Sequence, residues 1–131
     1  MSPNLLQKYS IGNFHFSVKS GVDNILVKKE AILEVVQKVK EDEELLYEQL
    51  VDITATDNLM SKTGYSEQRF TLIYSFLSLK YNKRLFIFTN LSEDDLDIDT
   101  ITPIFESADW YERECYDLFG INFKNHPNLQ R

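Results

Sequence analysis

The segment from Arg69 to Leu79 constrains the fold most, because apolar side chains occupy both of its faces. It is rich in β-branched and aromatic residues, which is typical of a β-strand. A strand that is apolar on both sides is usually covered on both sides, so this one is predicted to be central in a sheet. Asn82-Lys83 is typical of a turn, and a further strand is predicted from Arg84 to Thr89.

The clearest helix is predicted from Lys28 to Lys40. Its apolar residues recur at the spacing of one helical face, at Ile32, Val35, Val36 and Val39. Strands are predicted before it over residues 14–19 and 22–27, joined as a hairpin by a turn at Ser20-Gly21.

Another strand is predicted after this helix, over residues 47–56. Its core-facing side chains are predicted to be Val51, Ile53 and Ala55. Residues 58–68 are polar and predict an exposed loop.

A second helix is predicted from Ala108 to Phe119, ended by Gly120. The face expected to pack on the sheet carries Tyr111, Cys115, Leu118 and Phe119. Thr102-Pro103 is predicted to start a helix, because proline suits the first helical position. With a short helix over 4–9, the element order becomes α-β-β-α-β-β-β-α. This order predicts an α+β, two-layer domain, in which helices pack on a mixed or antiparallel sheet.

Length and charge exclude several classes of function. The 131 residues fit one domain over residues 1–131, and the net charge of −7 argues against nucleic-acid and anionic-lipid partners. The apolar runs are too short to span a bilayer, and the N-terminus lacks the pattern of a signal peptide. A single cysteine, Cys115, forms no internal disulfide, which favours a reducing cytoplasmic compartment.

Few residues of this sequence form a pattern that indicates catalysis or metal binding. Glu112, Glu114, Asp117 and His126 are of the types that bind a divalent ion or transfer protons. Residues two apart do not face each other on a helix, so Glu112 and Glu114 diverge. An ion-pair ladder on the surface, running through Arg113, is the plainer interpretation. Cys115 is predicted to be a buried structural thiol, and no nucleotide-binding loop or cysteine cluster occurs in the sequence.

The charge distribution reverses sharply near the C-terminus. Residues 93–117 contain ten acidic residues and one basic residue, Arg113, whereas residues 118–131 contain no acidic residue. Trp110 and Tyr111 lie in the acidic part. Such a reversal beside aromatic residues is typical of a recognition surface.

The segment 110–131, called the motif segment below, resembles the signature of one family. That family is the 30 kDa subunit, also called the C subunit, of respiratory complex I, the proton-pumping NADH:quinone oxidoreductase. Its pattern is W-x-E-R-E-x-Y-D-[LM]-F-G-I-x-F-x-G-H-P-D-L-R-R, and residues 50–57 and 69–79 resemble two more family segments. The likeness covers most of the chain from about Leu46 onward.

Three positions depart from the family pattern. Asn125, Asn128 and Gln130 stand where the family has Gly, Asp and Arg. Asparagine adopts a left-handed backbone more readily than most residues, so Asn125 is expected to fit the glycine's turn. Family members continue beyond the position of Arg131 into a C-terminal extension.

The resemblance implies a non-catalytic structural and assembly subunit in the hydrophilic arm of the complex. The chain itself then binds no cofactor or metal, since FMN, the iron–sulfur clusters, NADH and quinone reside on other subunits. The implied partners are the D subunit, which forms the quinone cavity, and the B subunit, which carries the terminal cluster. The implied location is peripheral, on the cytoplasmic side of the bacterial inner membrane.

The resemblance also implies a docking role for nine motif residues, Glu112, Arg113, Glu114, Asp117, Gly120, Phe123, His126, Pro127 and Arg131. Glu112 is expected near the exposed side of the helix, and the segment after Gly120 is expected to be loosely held without its partner. Two alternatives stay open. One is a homologous subunit of a related membrane-bound hydrogenase or ferredoxin-linked complex, and the other is a free-standing metal-dependent hydrolase that uses the carboxylates and His126.

Overall fold

A computed structural model of the chain describes residues 15–17, 22–58 and 69–127. Five strands form the main sheet: β1 (His15–Ser17), β2 (Val22–Leu26), β3 (Gln49–Asp57), β4 (Phe70–Ser78) and β5 (Lys83–Leu91). Their order is β1-β2-β5-β4-β3. β2 and β5 run parallel, and all other neighbouring strands run antiparallel. The predicted hairpin of the first two strands and the mixed sheet are therefore confirmed.

Two helices and a smaller sheet complete the described part of the chain. The helices are α1 (Ile32–Glu41), which follows a 3-10 turn at Lys29–Ala31, and α2 (Ala108–Phe119). A parallel pair of short strands, β6 (Asp97–Asp99) and β7 (Asn122–Lys124), brackets α2 in the sequence. The α+β class is confirmed, although β6 and β7 were not predicted. The predicted helix over 4–9, the Ser20-Gly21 turn and residues 59–68 lie outside the described residues.

The core lies on one face of the main sheet. β4 lies inside the sheet, between β3 and β5, as predicted, but only one of its faces is fully covered. Its inward side chains Leu72, Tyr74 and Phe76 are fully buried. Its outward residues Ile73 and Leu77 are half-buried. Burying one such aliphatic or aromatic side chain stabilises the folded state by about 1.5–3 kcal/mol. β4 therefore contributes strongly to the core.

α1 packs as its periodicity predicts. All four residues of the predicted face, Ile32, Val35, Val36 and Val39, are buried in the core. Lys40 reaches over the Phe105 ring at 4.8 Å and donates to the Ile104 carbonyl at 2.8 Å. The helix is thereby tied to the turn that precedes α2.

α2 packs against β3, which is an edge strand of the main sheet. Phe119 meets Phe70 edge to face, with ring centroids 5.7 Å apart. The Cys115 thiol lies 3.7 Å from the Ile53 carbonyl oxygen. These contacts fix α2 against the strand at this edge of the main sheet.

Two local predictions were wrong. A β-bulge interrupts β3 between Leu50 and Asp52, so Leu50 is buried and Val51 turns outward, with 39% of its surface exposed. The extra residue of a bulge changes which side chains face the core. Thr102-Pro103 starts a single turn and not a helix, because both following amides, of Ile104 and Phe105, bond to the Ile101 carbonyl.

No helix within residues 15–17, 22–58 and 69–127 has both the length and the apolar character needed to cross a membrane.

Candidate functional site

The motif segment begins in α2 and turns sharply at Gly120. This glycine has φ of +74°, and its amide bonds to the Tyr116 carbonyl at 2.9 Å. The left-handed conformation is strained for residues with a Cβ, so glycine ends the helix here as predicted. Asn125 also takes a left-handed conformation, with φ of 69°, which fits the expectation for that position.

Glu112 lies inside the protein, and the expectation that it faces solvent is wrong. Its side chain is fully buried. Oε1 accepts a hydrogen bond from the Thr100 hydroxyl at 2.5 Å, and Oε2 accepts one from the Ile101 amide at 2.9 Å. Buried carboxylates need such donors, because an unpaired one loses its hydration without compensation.

Helical phase explains the placement of Glu112. Residues separated by three or four positions share a helix face. The buried line of α2 is accordingly Ala108, Glu112 and Cys115, with Phe119 packed beside it. Glu112 is thus part of the buried face of α2, whereas Leu118, which was predicted to be on that face, is not.

Burial raises the pKa of Glu112 to about 7. The hydrogen bonds from Thr100 and Ile101 act in the opposite direction, because they stabilise the charged carboxylate. The negative charge of Asp109 adds to the increase. The carboxyl group therefore gains or loses its proton close to neutral pH.

His126 is folded back onto α2. Its side chain is fully buried, and Nε2 lies 3.2 Å from both the backbone oxygen and Oδ1 of Asp109. Nε2 is 3.8 Å from Oε1 of Glu112. We call Asp109, Glu112 and His126, with Thr100 and Ile101, the Glu112 cluster. The cluster connects α2 to Thr100 and Ile101, which precede the helix, and to His126, which follows it.

The residues after Gly120 are packed, which corrects the expectation of a loosely held segment. Phe123 is buried, and β7 pairs Phe123 with Ile98 of β6. The Asn122 amide bonds to the Leu96 carbonyl at 2.8 Å, and the Thr100 amide bonds to the Lys124 carbonyl at 3.0 Å. Phe123 and His126 are therefore not free to lie along a partner in this conformation.

The outer face of α2 carries Trp110, Arg113, Glu114, Asp117 and Leu118, all exposed. Trp110 exposes 62% of its surface and Leu118 exposes 73%. The prediction that Leu118 packs on the sheet is therefore wrong. Trp110, Glu114 and Leu118 follow one another at intervals of four residues, so they form one stripe along the helix.

The predicted ion-pair ladder through Arg113 is not formed. Asp109 faces His126, and Arg113 makes no ion pair within 4.0 Å with any residue in the described ranges. Gly120 and Pro127 are also exposed, whereas Arg131 lies outside the described residues. Of the nine predicted docking residues, the structure thus places Arg113, Glu114, Asp117, Gly120 and Pro127 at the surface.

The hydrolase interpretation does not fit this geometry. Glu112 and His126 are buried, whereas Glu114 and Asp117 point away on the exposed side of α2. Within the described parts of the chain, no three His, Cys, Asp or Glu side chains are placed to hold a metal ion together. The four predicted candidates therefore do not form one site.

Cys115 is buried, as predicted. Burial is the main cause that raises the pKa of its thiol to about 12, and the charges of Glu114, Asp52 and Glu112 add to it. The side chain is consequently a neutral thiol at physiological pH, and it behaves as a small apolar residue.

Residues 25–131 match the family described as the respiratory-chain NADH dehydrogenase, 30 Kd subunit. The chain belongs to this family. The resemblance read from the motif segment is confirmed by the match.

Relatives in the family are named as C subunits of NADH-quinone oxidoreductases. The C subunit of Citrifermentans bemidjiense is 44% identical over 111 residues, which are 85% of this chain and 65% of that protein. The C subunit of Neisseria meningitidis is 36% identical over 125 residues, 92% of this chain and 64% of that protein. This chain therefore spans slightly less than two thirds of either relative. The C/D subunit of Proteus mirabilis is 37% identical over 130 residues, which cover 97% of this chain and 22% of that protein.

Two solved structures share the fold. The trypsin-resistant fragment 1–134 of Nqo5 has a TM-score of 0.73 and 31% identity, covering 83% of each chain. A chain of the membrane-bound sulfane sulfur reductase, an archaeal respiratory membrane complex, has a TM-score of 0.76, 20% identity, and coverage of 98% of this chain and 71% of that one. The second comparison supports the fold alone.

The motif segment contains buried and exposed residues that the sequence pattern alone did not separate. Thr100 and Ile101 were missed as partners of Glu112, since they lie outside the motif segment. A signal was present in α2, because Glu112 stands four residues after Ala108 and three before Cys115. That spacing places Glu112, and not Leu118, at the centre of the buried line.

Proposed function

We propose that this chain is a non-catalytic structural component, the 30 kDa or C subunit, in the hydrophilic arm of a proton-translocating NADH:quinone oxidoreductase. The observation that carries the proposal is the family match over residues 25–131. Relatives at 36% and 44% identity, both named as C subunits, support it. The role of the chain is to hold other subunits in place while electrons pass from NADH to quinone.

The proposed partners are the D subunit, which forms the quinone cavity, and the B subunit, which carries the terminal cluster. The Proteus mirabilis relative supports the first of these, because its name joins C and D in one protein. The complex would then hold the chain peripherally, on the cytoplasmic side of a bacterial inner membrane.

The proposed contact surface is the outer face of α2. Exposed tryptophan and arginine residues are enriched among those that dominate binding energy at interfaces, and Trp110 and Arg113 lie on this face. The Arg113 guanidinium can bind a partner carboxylate at two points, a geometry that lysine does not reproduce. The inner residues of the motif then have a separate task, which is to fix the helix and the chain after it.

We also propose that the chain carries no cofactor of its own. FMN, the iron–sulfur clusters, NADH and quinone would all reside on other subunits. An optical spectrum of the purified chain tests this directly. Stoichiometric flavin or iron–sulfur absorption would overturn the proposal, and protein absorption alone would support it.

The second candidate is membership of a related respiratory assembly, because the fold is shared with a chain of the archaeal sulfane sulfur reductase and does not by itself distinguish the two. Isolation of the tagged chain from its own host distinguishes the two. If the chain belongs to an NADH:quinone oxidoreductase, it is expected to co-purify with an activity that oxidises NADH and reduces a quinone. Co-purification with a membrane complex that lacks this activity would favour the second candidate.

The assembly role is tested by substituting exposed residues in the full chain. Each variant is expressed in a host strain from which the gene for the unmodified chain has been deleted. The double variant Trp110→Ala/Leu118→Ser is expected to fold normally but to be lost from the complex on native gels. Leu79→Ser is the matched control, because Leu79 is 63% exposed and lies at the turn between β4 and β5. Normal incorporation of the double variant would exclude this face as the contact surface.

Arg113 provides a second, single-residue test of the same surface. Arg113→Ala is expected to leave the melting temperature of the isolated chain within a few degrees and yet prevent incorporation. Truncating one member of a desolvated interface charge pair typically costs about 2–5 kcal/mol of binding free energy. A complex that contains the variant but has lost turnover would instead show that Arg113 acts in catalysis.

A further inference from the structure

Glu112 is a titratable group that the proposed docking role does not use. It is fully buried, yet it contacts three separate parts of the chain. These are the turn at Thr100 and Ile101, its own helix, and His126 after β7. A buried carboxyl group in such a position can couple its proton to the packing of all three.

We propose that Glu112 is a proton-binding site whose occupancy sets how firmly residues 122–127 are held against α2. With the proton bound, the cluster is closed and the segment is held. Loss of the proton loosens the segment. This inference does not depend on the proposed function.

The hydrogen bonds around Glu112 can accommodate both protonation states without rearrangement of the backbone. The Thr100 hydroxyl lies 2.5 Å from Glu112 Oε1 and 3.0 Å from the Thr102 hydroxyl, but it has only one hydrogen to donate. When Glu112 is charged, that hydrogen goes to Oε1. When Glu112 is neutral, its own proton can be donated to Thr100, and Thr100 then donates to Thr102.

His126 covers the carboxyl group. Nε2 of its buried ring lies 3.8 Å from Oε1, and it lies 3.2 Å from the backbone oxygen of Asp109, to which it donates in one ring tautomer. Release of residues 122–127 would remove this ring and admit water to Glu112. The closed form therefore keeps Glu112 away from water, and the open form hydrates it.

The direction of the pH dependence follows from this difference. The pKa of Glu112 is raised from 4.5 to about 7 in the closed form, mainly by burial, and a hydrated carboxyl group stays near its ordinary value. The closed form thus binds the proton more tightly than the open form. Its advantage is complete below about pH 4.5 and is lost as the pH rises through about 7.

Other titratable groups near the site have to be separated from Glu112. Asp109 lies beside it on α2, and His126 faces it from the chain after β7. The charge of Glu112 raises the pKa of Tyr74 in β4 and of Cys115 in α2, and the charge of Asp99 in β6 also raises the pKa of Tyr74. A variant that changes only Glu112 is therefore needed to assign the effect.

Amide hydrogen exchange of the full chain, measured from about pH 5 to pH 8 and corrected for intrinsic rates, tests the proposal. The reporters are the amides of Asn122 and Thr100, which bond to the carbonyls of Leu96 and Lys124 and so join residues 122–127 to the rest of the chain. Their protection is expected to fall by up to about tenfold per pH unit between about pH 5 and 7, and to level off above that. Glu112→Gln keeps the size and neutral form, so its protection is expected to stay constant over this range.

Glu114→Gln is the matched control, since Glu114 is exposed on the opposite side of the same helix. This variant is expected to retain the full pH dependence. The proposal is overturned if Glu112→Gln also retains it, or if the unmodified chain shows none. Should Glu112→Gln not fold, the carboxyl carbon of Glu112 can be titrated by NMR in the unmodified chain, where a midpoint near the ordinary value of 4.5 would overturn the proposal.

Discussion

The two α-helices in the described part of the chain bury their inner faces by different means. α1 buries four aliphatic side chains at regular helical spacing, and its outer positions are polar or half-buried. α2 buries a carboxyl group and a thiol, while a tryptophan and a leucine remain exposed. Only α1 has the apolar residues where packing alone would place them.

The difference indicates that α2 satisfies requirements beyond packing. Glu112, on its inner face, needs hydrogen-bond donors from the same chain, and it finds them at Thr100 and Ile101. Trp110 and Leu118, on its outer face, contact water over most of their surface. These exposed apolar side chains fit the contact surface proposed above. The comparison of the helices therefore supports an inward, structural half and an outward, docking half of the motif segment.

Removing a core side chain from α1 is expected to have the largest effect on stability. Ile32 is fully buried, and Ile32→Ala should lower the free energy of unfolding by about 2–5 kcal/mol. Urea denaturation of the isolated chain measures this value. A loss under about 1 kcal/mol would show that α1 contributes less to the core than its burial indicates, and would weaken the contrast with α2.

Removing the carboxyl group from α2 is expected to have a somewhat smaller effect. Glu112→Ala leaves the buried Ile101 amide without its acceptor, which should cost about 1–3 kcal/mol, whereas the Thr100 hydroxyl can still donate to the Thr102 hydroxyl. Glu114→Ala is the control and should stay within about 0.5 kcal/mol, because Glu114 is exposed.

The cost of Glu112→Ala should also depend on pH. The pKa of Glu112 is raised by burial to about 7, so this group contributes its stability in full below about pH 4.5 and loses it as the pH rises through 7. The variant is therefore expected to be more destabilised at about pH 5 than at about pH 8. Equal losses at both pH values would contradict the buried, neutral state of the carboxyl group.

The sequence was sufficient for α1, β4 and the end of α2 because each depends on local signals. Regular apolar spacing places α1, two apolar faces make β4 central, and glycine allows the left-handed turn at position 120. The inner face of α2 was assigned wrongly, because hydrophobicity favoured Leu118 over Glu112. Burying Glu112 depends on donors that precede it by 11 and 12 residues, and their approach is set by the tertiary fold.

Other errors have the same origin. The bulge in β3 turns Val51 outward although the alternation of apolar residues is regular through Ala55. β6 and β7 have three residues each, too few for a periodic pattern, and they form because Phe123 packs beside Ile98. These features depend on contacts between distant segments, so no local pattern predicts them.

The thiol on the inner face of α2 should have a modest effect. Cys115→Ala removes one buried atom and is expected to cost about 1 kcal/mol, with assembly unchanged. Burial also raises the pKa of this thiol to about 12, so the native protein should react with a thiol reagent far more slowly than the denatured protein. Equally fast labelling of both would show that α2 separates readily from β3.

The smallest change in the isolated chain is expected on the outer face of α2. Leu118→Ser alters a side chain that is 73% exposed, so the free energy of unfolding should change by less than about 0.5 kcal/mol. Leu79→Ser should behave alike in this assay, because Leu79 is 63% exposed. The two variants are expected to differ only in their incorporation into the complex, which the loss of Leu118 weakens and the loss of Leu79 does not. A clear loss of stability for Leu118→Ser alone would mean that Leu118 contributes to the fold of the isolated chain. In that case the outer face of α2 would serve packing as its inner face does, and the division of the motif segment into two halves would fail.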